Sequence, residues 1–161
     1  MSSSPVKPVP DGYQSITSFV VLKNVPAFLD FAGRALGAVL NDKCLGPDGT
    51  TVMHAELQIG DSRLFLCDEF PGCDMKSPQS LGGSSTSIYL YVENVDAAFE
   101  RAVAAGCQVK MPLTDMFWGD RYGQLRDPFG FSWGVASHVR DMTPEEIGRA
   151  AAEFFAKAGG R

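Results

Sequence analysis

The chain has 161 residues, 45% hydrophobic and 20% charged, enough apolar material for one packed domain and no case for global disorder. Its net charge of −5 argues against nucleic acid as a partner, because a phosphate backbone selects basic surfaces. No apolar run reaches membrane-spanning length, and the Ser- and Pro-rich start lacks the apolar centre of a secretory signal, so a cytoplasmic protein is expected.

Residues 1–12 read as an extended N-terminal arm. The β-branched and aromatic stretch 16–23 predicts a strand, and Asn24 then offers a helix cap with Pro26 in the first turn. Phe28, Phe31, Ala35 and Leu36 recur at helical spacing until Gly37, a natural left-handed stop. An irregular strand and the turn Gly46-Pro47-Asp48-Gly49 lead to a hairpin of strands 52–59 and 62–67 around Gly60-Asp61. Residues 70–85, rich in Pro, Gly and Ser, read as a loop.

The order then repeats. Residues 87–93 predict a strand, Asn94 caps a helix bearing Val95, Ala98, Phe99, Ala102 and Val103, and Gly106 stops it. A strand at 107–111 precedes a second hairpin, 122–126 with 131–137, around Asp127-Pro128-Phe129-Gly130. Asn24-Val25 and Asn94-Val95 lie 70 residues apart, as do Ala27 and Ala97, Ala32 and Ala102, Ala35 and Ala105. The pattern is an internal duplication of a β-α-β-β-β unit, an α+β fold: module one at 13–70, linker 71–85, module two at 86–140. Thr143, Pro144 and Glu146 open a C-terminal helix within 141–161, whose apolar stripe is Ile147, Ala151, Phe154 and Phe155. Cys44, Cys67, Cys73 and Cys107 have no CxxC spacing and read as reduced thiols.

Strand alternation assigns faces. The first hairpin pairs Glu56 with Phe65 and His54 with Cys67, and the second pairs Gln124 with Gly134 and Arg126 with Ser132. One face of the modules thus collects Phe19, His54, Glu56, Phe65, Cys67, Ser87, Tyr89, Tyr91, Tyr122, Gln124 and Arg126, a mixture of rings and polar groups suited to a small-molecule ligand. Trp118 and Arg121 sit before the second hairpin, as a rim or as turn packing. His54 and Glu56, two apart on one strand, form a candidate acid–base pair, the structural alternative being open. Arg126 and Arg121 suit an anionic group, and Arg126 pairing with Glu56 is the alternative. Cys67 reads as an inert buried thiol, and Gly134 as a void on the face.

The tandem units, residues 53–62 and 118–133, and the ending Ala136-Ser137-His138-Val139-Arg140-Asp141-Met142-Thr143-Pro144-Glu145-Glu146 resemble the vicinal oxygen chelate superfamily, in its PhnB-like branch. The resemblance implies that each unit curls into an open sheet and that two units enclose a cavity, commonly in a homodimer. Its metal-ligand positions fall here on Thr17, Ser87, Gly134 and on Phe65 or Cys67, so no cofactor is expected. The leading expectation is a small-molecule-binding protein without the usual metal. The alternatives are a lyase or isomerase using His54 and Glu56, and a divalent-metal enzyme with an atypical set from His54, Glu56 and Cys67.

Overall fold

The computed structural model describes residues 6–72 and 74–158. The chain divides into two compact units, one ending at Leu81 and the other beginning at Gly82, each described below by itself. The expectations for the first five residues, for Cys73 and for the last three residues lie outside the described ones. Cys44 and Cys107 are free thiols, Cys67 is buried, and burial pushes Cys107 up to about 12.

In the first unit, β1 (Ser18–Leu22), α1 (Val25–Leu36), β2 (Val39–Leu45), β3 (Val52–Ile59) and β4 (Ser62–Asp68) build a four-stranded sheet of order β1-β4-β3-β2. β1 runs parallel to β4, and the other neighbours are antiparallel. Asn24 accepts a 2.9 Å bond from the Ala27 amide, and Gly37 ends α1 in the left-handed region. Val25, Phe28, Phe31, Ala32 and Ala35 are buried along one face of α1, and each large side chain contributes about 1.5–3 kcal/mol of transfer free energy. Asp68 ties the corner by accepting from the amides of Val25 at 2.8 Å and Val52 at 2.7 Å. The linker is not wholly irregular. Pro78–Leu81 form one helical turn, α2, because Ser77 caps it through its hydroxyl and accepts the amides of Ser80 and Leu81.

The second unit repeats this plan with β5 (Ser87–Tyr91), α3 (Val95–Ala104), β6 (Gln108–Asp115), β7 (Asp120–Arg126) and β8 (Ser132–His138), in the order β5-β8-β7-β6. Asn94 caps α3 as Asn24 caps α1, and Ser137 takes the role of Asp68 by accepting the Val95 amide at 3.0 Å. β6 runs four residues past the predicted strand end at Met111, because it follows β7 through two register shifts as far as Asp115↔Arg121. The hairpin turn is organised by buried Asp127, which accepts the amides of Phe129 and Phe131 and the Trp133 indole N–H, all at 2.9 Å. Burial raises the Asp127 carboxyl above its usual value despite these donors. The tail helix α4 (Pro144–Ala158) starts with the predicted capping box, Thr143 N–H to Glu146 at 2.8 Å and Glu146 N–H to Thr143 Oγ1 at 3.3 Å. Phe154 and Phe155 gather against Phe117, with ring centroids 5.4 and 5.9 Å away.

Candidate functional site

Both hairpins adopt the expected register, Glu56↔Phe65 and Gln124↔Gly134. Parallel pairing adds Phe19↔Phe65 and Tyr89↔Gly134. Phe19, Phe65 and Glu56 therefore lie abreast in unit one, as Tyr89, Gly134 and Gln124 do in unit two. Two glycines certify which side is which. A Cβ on Gly123 would strike the Phe99 ring of α3 at 2.6 Å, so that side faces the helix. A Cβ on Gly134 would meet Tyr122 at 2.8 Å and Tyr89 at 3.1 Å, so both tyrosines share the other face. The predicted void at Gly134 is thereby corrected: its missing side chain is the room in which the two rings stack, centroids 5.3 Å apart and planes at 11°.

On the first unit this face is closed by local polar bonds. Glu56, 5% exposed, forms an ion pair with Arg63 of its own hairpin, accepts the Tyr13 hydroxyl at 2.6 Å and takes Asn41 Nδ2 at 3.0 Å. Arg63 also donates to the Gly12 carbonyl at 2.9 Å and lies 4.1 Å from the Tyr13 ring centroid. The partner of Glu56 is thus Arg63, in place of the Arg126 alternative, because Arg63 stands two strand positions away on the adjoining β4. His54 packs edge-on to Phe65, centroids 5.0 Å apart, with Phe19 at 6.2 Å. No bond joins His54 to Glu56 among the described contacts, and Cys67 is 2% exposed.

The second unit presents a different centre, and sequence reasoning missed it. Asp120, 2% exposed, begins β7. Its Oδ2 accepts from the Tyr91 hydroxyl at 2.8 Å, the Trp118 indole at 3.0 Å and the Tyr89 hydroxyl at 3.1 Å. Its Oδ1 takes His138 Nδ1 at 2.8 Å, and His138 Nε2 reaches Asp141 at 3.0 Å. Carboxylates only accept, so both imidazole nitrogens must donate and the geometry selects the imidazolium. Burial opposes the charge on Asp120, but the bonds from His138, Tyr91, Tyr89 and Trp118 outweigh it and hold its carboxyl below the usual range. Asp120, then Asp141, raise His138 above its usual value. Burial and hydrogen bonds with the Tyr91 hydroxyl and the Asp120 carboxylate push the Tyr89 phenol up, and the bond to Asp120 does the same for Tyr91.

The remaining predicted residues of this unit are spread along its sheet, with Ser87 and Arg126 level with Ser132 at the end away from Asp120 and His138. Gln124 is exposed and donates to the Tyr122 hydroxyl at 2.8 Å. Alternation places Arg126 one more step along the same face, and its Nε is buried without a hydrogen-bond partner among the described residues. Ser87 bonds the Ser132 carbonyl. Arg121 is not brought to the face: Asp96 at 2.7 Å and Asp115 at 3.1 Å hold its guanidinium, consistent with alternation that turns residue 121 away from 120 and 122. The signal for Asp120 was present, since stepping back by two from Gln124 through Tyr122 arrives at it. Asn41 gave no signal, because it sits in the bulge between Leu40 and Asp42 that breaks the alternation.

The profile of the Glyoxalase/Bleomycin resistance protein/Dioxygenase superfamily matches residues 15–135. The chain belongs to that superfamily. An uncharacterised protein of Mycobacterium tuberculosis, Rv0887c, is 40% identical over 136 residues, 83% of this chain and 79% of the relative. Among solved structures, TioX from Micromonospora sp. ML1 is similar at TM-score 0.61 and 25% identity, covering 81% of this chain and all (100%) of that one. A PhnB protein from Bacillus cereus shares the fold at TM-score 0.60 and 19% identity, covering 77% and 99%. The vicinal oxygen chelate resemblance is thus borne out as to fold. The chain's register makes Phe65 the counterpart of Gly134, so the four positions that the resemblance assigns to metal ligands carry Thr17, Phe65, Ser87 and Gly134. Two hydroxyls, a phenyl ring and a bare Cα do not make a divalent-metal donor set. Among the described residues no helix is long and apolar enough to cross a membrane.

Proposed function

We propose that the second unit binds a flat, positively charged small molecule on the aromatic face organised by Asp120, without a resident catalytic metal. The observation that carries this reading is the convergence of Tyr89, Tyr91 and Trp118 on one carboxylate oxygen. Three rings anchored by their polar ends are ordered before a ligand arrives, which lowers the entropic cost of binding. Hydrogen bonds to an anion also push electron density into the rings, and electron-rich faces favour cations. Tyr89 and Tyr91 are 45% and 61% exposed, so their faces are available to a ligand. The net charge of −5 adds long-range attraction for a cation.

An acid–base role for the first unit has less support. A carboxylate occupied by Arg63, Tyr13 and Asn41 has few free lone pairs with which to take a proton. The same ion pair weighs against Glu56 as a metal ligand. Binding of proflavine, a flat aromatic cation, tests the reading by calorimetry and thermal shift. Saturable binding that is lost in Tyr91→Leu is expected. Turnover of an oxygenated substrate that is abolished in Glu56→Gln would overturn it in favour of the lyase or isomerase alternative.

A further inference from the structure

The first unit carries a concavity at residues other than those of the strand rows already described. Its volume is about 450 Å³, and Lys23, Glu69, Phe70, Pro71, Lys76 and Ser80 line it. It lies where the parallel strands β1 and β4 both end: Lys23 directly follows Leu22, and Glu69 directly follows Asp68. The Glu69 amide donates to the Leu22 carbonyl at 2.6 Å, which fixes the two strand ends side by side.

The charges are unevenly committed. Glu69 Oε2 accepts the Ser77 hydroxyl at 2.7 Å, the Ser80 hydroxyl at 2.8 Å and the Ser77 amide at 3.2 Å. Those bonds, Ser77 first, hold its carboxyl down to about 2, so it stays ionised and keeps Lys76 at 3.6 Å. Lys23 has no hydrogen-bonded or ionic partner among the described residues. The lining therefore holds two ammonium groups against one carboxylate, whose Oε2 serves the α2 cap and whose Oε1 faces Lys76, so the charge of Lys23 is the one left over. Phe70 and Pro71 add an apolar wall beside this surplus positive charge.

We infer that this concavity binds a small organic anion, its carboxylate or phosphate between Lys23 and Lys76 and its apolar body on Phe70 and Pro71. An ionised acceptor gains most from a donor that has no partner to give up, which is the state of Lys23. The concavity is independent of the aromatic face of the second unit, and the two readings stand or fall separately.

Amide NMR titration of the full chain at low salt tests it, with benzoate and inorganic phosphate as probes. Benzoate should shift amides of residues 69–72 and 76–81 saturably, and phosphate should bind more weakly for want of an apolar body. Lys23→Gln should weaken benzoate about fivefold or more through loss of a charge-assisted contact. Tyr91→Leu should leave benzoate binding unchanged, which separates this site from the aromatic face. Lys23 supports no other described group, so its variant decides the matter even if Lys76→Gln disturbs Glu69. Absence of saturable shifts with either probe, equal affinity in Lys23→Gln, or phosphate binding as tightly as benzoate would each overturn the inference.

Discussion

The two units share strand order, pairing and helix caps, yet their corresponding faces have opposite chemistry. In unit one the row Phe19–Phe65–Glu56 is spanned by an ion pair and by the Tyr13 hydroxyl, so its polar groups satisfy one another. In unit two the row is Tyr89–Gly134–Gln124, and the exchange of a phenyl ring for no side chain admits a tyrosine stack. The buried carboxylate has also moved. Glu56 sits mid-strand and is matched by arginine, whereas Asp120 opens its strand and is matched by three aromatic donors and an imidazolium. A duplicated scaffold thus keeps its backbone while one copy is locked by charge pairing and the other offers ordered rings.

The strongest way to break this contrast is Asp120→Ala. It removes the buried common acceptor of four part-buried donors, and should cost about 3 kcal/mol of stability by urea unfolding. Proflavine binding should disappear with it. Glu56→Ala should also destabilise, by orphaning Arg63, but binding should survive in the folded fraction. Next in size is Gly134→Ala. Its Cβ would sit 2.8 Å from the Tyr122 ring, an overpacking worth about 1–3 kcal/mol, and the stack should open, weakening the ligand. Equal binding by the Gly134→Ala variant would show that the stack is dispensable.

A matched pair sharpens the comparison further. Tyr89→Leu should weaken proflavine about tenfold, through loss of a cation–π face and of one anchor to Asp120. Phe19→Leu changes the corresponding position of unit one and should leave affinity within about twofold. Reversal of that order would place the ligand on the wrong unit. Smaller still, Tyr13→Phe removes one hydroxyl from Glu56, should cost about 1 kcal/mol and should not alter binding.

The imidazolium gives the second unit a pH signature of its own. His138 is raised in the folded protein, so its contribution is fully present below its unfolded value of about 6.5 and is lost as pH rises through the higher folded value. Asp120 is lowered, so its contribution is present above an unfolded value of about 3.8 and fades as pH falls through the lower folded one. The melting temperature should therefore decline from about pH 6.5 upward, and His138→Gln should flatten that decline.

Much of this architecture was legible before the structure. Asn24, Gly37 and Asn94 mark helix ends through local bonds, and the turns at Gly60-Asp61 and Asp127–Gly130 set hairpin register within a few residues. Register with alternation then delivered the rows of both faces. What stayed hidden depends on convergence from distant segments. Asp120 draws on β5, the turn before β7 and the end of β8, and no spacing rule links those three. The Glu56–Arg63 pair was within reach, as both lie on one face of one hairpin. Tyr13 was not, since the segment before β1 has no periodicity to aim its side chain.

The most direct test of the account is calorimetric titration of proflavine into the wild-type chain and Tyr91→Leu. Tyr91 is 61% exposed, so its replacement should spare the fold while removing a ring and a donor to Asp120. The account predicts saturable, one-site binding to the wild type and at least about tenfold weaker binding to the variant. Equal affinity in the two proteins, or no binding to the wild type, would contradict it.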